Sequence, residues 1–251
     1  MRPAADPPPS RPFAFGFWLA LPLAAMGLLL LVDPAPLDFW ITGHFHVPGS
    51  GFVARDNYWL ETVLHDRAKT LVIVFVLALG VALAASARLA ALRSWRGPLA
   101  YALLAITLST AVVPPLKVVS AVQCPWDLSD FGGSETFSPL LAPRPPTEHP
   151  GRCWPGGHAA TGFSLIALFF ALRDRRPRLA RGLLAGALAF GGLLAAGRMM
   201  QGAHFLSHNL WTLLLDWSIC LLVYRFTLYR PARLPSAAHR RRAIGIPAGT
   251  S

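Results

Sequence analysis

Long apolar runs separated by short polar ones set the pattern of this chain. Six stretches, at 13–32, 70–91, 98–119, 158–172, 179–196 and 205–224, approach the roughly 20 residues a helix needs to cross a bilayer. The fourth is short and opens on Pro155, Gly156 and Gly157. Its start is therefore expected below the membrane surface, which is tolerable only where protein or a water-filled cavity surrounds the backbone. Residues 33–69 scatter Trp40, Phe45, Phe52, Tyr58 and Trp59 among polar positions, as an interfacial segment or a short amphipathic helix would. Residues 120–155 are rich in Pro and Gly and read as a long loop. The pattern predicts an all-α, polytopic membrane protein: a six-helix transmembrane bundle over 13–230, with a disordered tail at 1–12 and a basic tail at 231–251.

Composition narrows the class. With 54% hydrophobic and 14% charged residues and a mean hydropathy of +0.46, the chain is too apolar for a soluble domain of 251 residues. A net charge of +11 could suggest nucleic acid as a partner, but the basic residues form clusters between apolar runs rather than a polar face. They report topology instead. With the amino terminus inside, 16 of the 23 basic residues fall on the inner segments, and Arg55, Arg67, Lys69, Lys117, Arg144, Arg152 and Arg198 are left outside. Both termini are then cytoplasmic and the long loops face outward. In a bacterium this describes a multi-pass protein of the inner membrane with its loops in the periplasm. Cys124, Cys153 and Cys220 are too few for a disulfide scaffold and lack a zinc spacing.

Candidate chemistry gathers at span ends on the outer face: Lys117 after the third span, His158 at the start of the fourth, and Arg198, His204 and His208 across the turn from fifth to sixth. Singly, such a lysine snorkels and such a histidine is a packing group. Together they meet the needs of phosphoryl transfer, which are an in-line nucleophile, cations around the equatorial oxygens and an acid for the leaving alcohol. A neutral His204 would attack phosphorus and His158 would protonate the leaving oxygen. Lys117 and Arg198 would neutralise the phosphate. Gly156 and Gly157 would offer unhindered backbone N–H groups at a helix start, although a plain flexible helix start is the simpler reading of that turn.

The segments KVVSAVQCP at 117–125, PGGH at 155–158 and GRMMQGAHFLSH at 197–208 resemble the type 2 phosphatidic acid phosphatase family. Its signature reads KxxxxxxRP, PSGH and SRxxxxxHxxxD. Lys117, Gly157, His158, Arg198 and His204 match, whereas Cys124, Gly156, Gly197 and His208 stand where that family has Arg, Ser, Ser and Asp. The resemblance implies a metal-independent phosphatase without a cofactor. It would hydrolyse a lipid phosphate or diphosphate monoester through a phosphohistidine on His204, with membrane lipids as its surroundings. A lipid phosphotransferase would use the same residues; a catalytically inactive lipid-binding protein is the alternative that the lost Asp, Arg and Ser suggest, but because both histidines are kept an active, divergent enzyme is the favoured reading.

Those departures leave roles to fill. His208 shares a helix face with His204 and could orient its ring, but a neutral imidazole cannot stabilise an imidazolium as a carboxylate would. Asp127, Asp130, Glu135, Glu148, Glu61 and Asp66 lie on the outer face as candidates for that carboxylate. Arg152 is the candidate to offset the arginine missing at Cys124, with an ordinary loop arginine as the alternative. Cys124 and Cys153 flank the long outer loop, each beside a motif, and an oxidising compartment permits a disulfide between them. A metal centre on His158, His204 and His208 is disfavoured by the cations beside them. Asp216, deep in the sixth span, is expected to bond a neighbouring helix or to relay protons.

Overall fold

The computed structural model describes residues 10–231, so most of both predicted tails, including Arg2, Arg233, Arg240, Arg241 and Arg242, lies outside it. All six apolar stretches fold as helix. Helix α1 spans Phe15–Leu31 and, after an 85° bend, is followed by α2, Ala35–Gly43. The bend falls at Asp33 and Pro34, where proline lacks the N–H a continuing helix would need. A minimal antiparallel hairpin, β1 His46–Val47 and β2 Gly51–Phe52, leads to a π-helical segment, Trp59–Arg67, continuous with α3, Ala68–Ala85. A single turn, α4 Ala90–Arg93, precedes α5, Arg96–Ala111, and α6, Val113–Ser120, which carries the prolines of its first turn where they cost no hydrogen bond. After the outer loop come α7 Gly157–Phe163, a 3₁₀ turn, α8 Ala167–Leu172, then α9 Pro177–Met200 and α10 Leu206–Thr227.

Among the described residues four helices are long and apolar enough to cross a membrane: Trp59–Ala85, Arg96–Asp127, Pro177–Met200 and Leu206–Thr227. The bent pair of α1 and α2 makes a fifth, and Gly157–Leu172 is a shorter apolar helix. Large apolar side chains point outward along these rods, with Leu71, Val74, Leu77 and Val81 all more than half exposed on α3. In water such a stripe would be untenable, and in lipid it is the normal outer surface. The chain is therefore an integral membrane protein by both composition and shape.

The bundle is knit by α7 and α8 against α9, and by α10 against α1, α5 and α7. Its centre holds Tyr101, Ile106, Phe163, Ile166, Phe170 and Leu221. Helices in lipid gain little from the hydrophobic effect and associate through close packing of small residues. Gly162 of α7 faces Gly191 of α9 so tightly that a Cβ at Gly162 would lie 2.5 Å from the Gly191 Cα. The arginine-rich end is sealed by Arg173, which donates to Tyr224 Oη (2.9 Å) and to the carbonyls of Arg11 and Pro12, while Arg11 N–H donates to Asp174. From this end α9 runs to Arg198 at the opposite one, and α10 returns. The motif residues therefore sit at the far end of the bundle from the arginine cluster.

Candidate active site

At that far end the last turn of α6, the first of α7, the last of α9 and the first of α10 meet. Lys117 reaches the start of α7: a Cβ at Gly157 would lie 3.4 Å from Lys117 Cε and 3.6 Å from its Nζ. His158, one residue on, shares a crevice with Arg198, Gly197, Leu60 and Leu64. Arg198 is held by Glu61 Oε2 (3.1 Å) and Gln201 Oε1 (2.9 Å), with its guanidinium over the Trp126 ring. Gln201 also donates to Glu61 at 2.9 Å, closing a three-membered network around the arginine.

His204 lies in the turn 201–205 between α9 and α10, buried to 3% exposure. That turn is set by Gly202 at φ +73°, a left-handed conformation that glycine adopts freely, and its carbonyl accepts from Trp126 N–H at 2.9 Å. Burial pushes the pKa of His204 well below the ordinary imidazole value, and the positive fields of Lys117, His208, Arg198 and His158 push it the same way. The ring is therefore neutral at physiological pH. Lys117, His158, Arg198 and His208 are the residues expected beside it, and all four lie at this end of the bundle.

The remaining predicted residues fall as follows. The His208 ring centroid is 6.0 Å from that of His204 at 69°, and Nδ1 of each ring is buried and without a partner among the described residues. Glu61, a candidate to orient His204, is committed to Arg198. Arg152 is exposed and is not among the charges acting on His204. Arg144 is the loop arginine with a structural task, donating to the carbonyls of Ser120, Ser138, Pro139 and Leu140. Cys124 and Cys153 are joined as a disulfide with their Cα atoms 5.1 Å apart, and Cys153 N–H donates to the Val122 carbonyl. The bridge fastens the segment after α6 to the segment before α7, and so couples Lys117 to His158. Asp216 is fully buried, and neither carboxylate oxygen has a partner among the described residues.

Two of the departures acquire a physical reason. Gly156 is extended, with its N–H donating to the His208 carbonyl (3.3 Å) and its carbonyl accepting from Thr212 Oγ1 (3.2 Å). A side chain there would begin 2.4 Å from Asn209 Oδ1, so Asn209 occupies the space that Ser would take. At Gly197 a Cβ would meet Leu64 Cδ2 at 2.7 Å. Gln201 lies inside a motif segment and Asn209 directly after it, at positions the signature leaves unspecified, and Asp38 on α2 lies far from any motif.

The structure thus has imidazoles, an ammonium and a guanidinium gathered at one end of a helical bundle. The profile of the PAP2 superfamily matches residues 98–232. That covers more than half of the chain, which therefore belongs to this superfamily. Membership supports phosphatase activity on phosphate esters. No curated protein and no solved structure matches the chain significantly.

Proposed function

We propose that the protein is a six-span membrane phosphatase that hydrolyses a lipid phosphate or diphosphate monoester at the outer face of the bilayer, through a phosphohistidine on His204. One observation carries the proposal: His204, buried to 3% exposure, stands at the end of the bundle where Lys117 reaches the start of α7 and His158 shares a crevice with Arg198. Lys117 and Arg198 would balance the charge on the phosphoryl oxygens, the work a metal does in other phosphatases. A ring nitrogen of His204 would attack phosphorus in line as the phosphorus–oxygen bond to the lipid breaks, and protonated His158 would pass its proton to the departing alkoxide. Water would then attack the phosphohistidine and give its proton to His158. Phosphate leaves, and both rings return to their starting state.

Lipid as substrate is supported by a cavity of about 250 Å³ that reaches His208. Its apolar walls include Leu30, Leu31, Leu140, Leu141 and Trp211, so an acyl or isoprenoid chain could lie there while its phosphate turns toward His204. The outer-face placement rests on the arginine-rich opposite end, which the positive-inside rule assigns to the cytoplasm. Phosphate release from phosphatidate, phosphatidylglycerol phosphate, polyprenyl diphosphate and lipid A, measured with and without EDTA, tests the proposal. Turnover of at least one lipid that survives EDTA and disappears in His204→Ala is expected. Equal rates for the variant and the wild type would refute it.

A further inference from the structure

The turn that carries His204 is tied to the motifs through the Arg198 carbonyl, which accepts from Ala203 N–H, and through Gly156 N–H, which donates to the His208 carbonyl; a further brace comes from outside them. Helix α10 begins at Leu206 after Phe205, whose side chain cannot cap it, and no side chain of its own strand of sequence does so. The first N–H groups of a helix lack intrahelical partners and need an acceptor from elsewhere. Here the acceptor comes from α2, 169 residues away. Asp38 Oδ1 accepts from Ser207 N–H at 2.9 Å, and Asp38 Oδ2 accepts from Ser207 Oγ. Asp38 is 4% exposed, an unusual depth for a carboxylate, and its charge lies at the positive end of the α10 dipole.

The next residue continues the contact. Phe39 stacks on Phe205 with ring centroids 5.4 Å apart at 21°, and Phe205 is enclosed further by Phe131 and Phe137. Two consecutive residues of α2 thus grip two residues of the segment between His204 and His208. Phe205 adjoins His204 and Ser207 adjoins His208. On the other side the turn is tied to Trp126 through Gly202. The His204 ring, whose Nδ1 has no partner among the described residues, is therefore aimed by the backbone it stands on rather than by a hydrogen bond. Helix α2 lies outside the segment that matches the PAP2 superfamily.

We propose that α2 is a clamp on the active-site turn and that Asp38 is a positioning residue, acting on His204 through Ser207 and the first turn of α10. This rests on His204 being the nucleophile. A displacement of about 1 Å in a reacting group can cost about a hundredfold in rate. Asp38 and Ser207 also line the cavity assigned above to the lipid chain, so loss of the brace is read in the chemical step at saturating substrate and in the His204 ring itself.

The test uses full-length protein in lipid vesicles and three variants, Asp38→Ala, Asp38→Asn and Ser207→Ala. Asp38→Ala is expected to lower kcat at saturating substrate about tenfold or more, whereas the kcat of Asp38→Asn, whose amide oxygen still accepts from Ser207 N–H, should stay within about threefold of wild type. Ser207→Ala keeps the backbone donor and should behave like Asp38→Asn. A second readout does not depend on turnover: in protein labelled with ¹⁵N-histidine, the ring signal absent from His204→Ala should shift in Asp38→Ala and hold its place in Asp38→Asn. An unmoved His204 signal in folded Asp38→Ala overturns the clamp, as does equal loss of kcat in the alanine and asparagine variants. A shifted signal in a protein whose wild type hydrolyses no lipid phosphate would preserve the clamp and remove the phosphatase instead.

Discussion

Placing at position 156 the serine of the PSGH signature should damage this protein, and the structure says by how much. The backbone at Gly156 has φ −70° and ψ 104°, which any residue adopts, so only space decides the outcome. A new Cβ would lie 2.4 Å from Asn209 Oδ1, and ordinary carbon–oxygen contacts begin near about 3.3 Å. One side must yield by about 1 Å. The turn cannot retreat easily, because both polar groups of Gly156 are bonded to α10. Asn209 is buried, and its Nδ2 donates to the Phe205 carbonyl at 3.1 Å, so moving it sacrifices that bond. Overpacking of a tight site costs roughly 1–3 kcal/mol and a lost internal hydrogen bond about 1 kcal/mol, giving roughly 2–4 kcal/mol for Gly156→Ser. Unfolding of the purified protein followed by tryptophan fluorescence, together with phosphate release, measures the effect. Adding Asn209→Ala should recover most of the stability, with a coupling of at least about 1 kcal/mol between the two sites. A Gly156→Ser variant as stable and active as wild type, or two substitutions whose effects simply add, would refute this account of the site.

Other expectations follow from the same geometry. Gly162→Ala should separate α7 from α9 and cost more than Gly156→Ser, since its Cβ would meet Gly191 backbone rather than a side chain; unfolding curves of the two variants compare them. Cys124→Ser with Cys153→Ser opens a loop with a sequence separation of 29 and should lower stability by roughly 3–4 kcal/mol, read from denaturant unfolding with and without reductant. His204, with its pKa lowered by burial, contributes stability that is complete above the unfolded imidazole value near about 6.5 and is lost as pH falls below it, because the unfolded chain then takes up a proton the folded one refuses. The slope of stability against pH on that acid side should be shallower in His204→Asn, and an unchanged slope would contradict a neutral buried ring.

Each of the six apolar runs folds as helix, but among the described residues only four, or five with the bent pair, are long and apolar enough to cross a membrane, and the run at 158–172 is shorter and interrupted by a 3₁₀ turn. The start of the second rod was not legible. It begins at Trp59 rather than near residue 70, because Glu61 and Asp66 break the apolar run, and Glu61 turns inward to Arg198. Lys117, His158, Arg198 and His204 could be read as a group because each stands beside the end of an apolar run, and those ends meet at one end of the bundle. Asp38 could not, since its meaning arises from a contact with Ser207 that only the folded chain creates. The sequence also showed Gly156 and Gly197 as losses, whereas in the fold they are accommodations to Asn209 and Leu64.

The central claim concerns one covalent bond, and trapping it is the most direct test. Protein mixed with ³²P-labelled lipid phosphate and quenched within a turnover should carry a label that is stable to base and labile to acid, as a phosphoramidate is. The account predicts this label on wild type, its absence from His204→Ala, and peptide mapping to the segment containing His204. A label that persists in His204→Ala, or turnover of substrate with no labelled protein at any quench time, would contradict it.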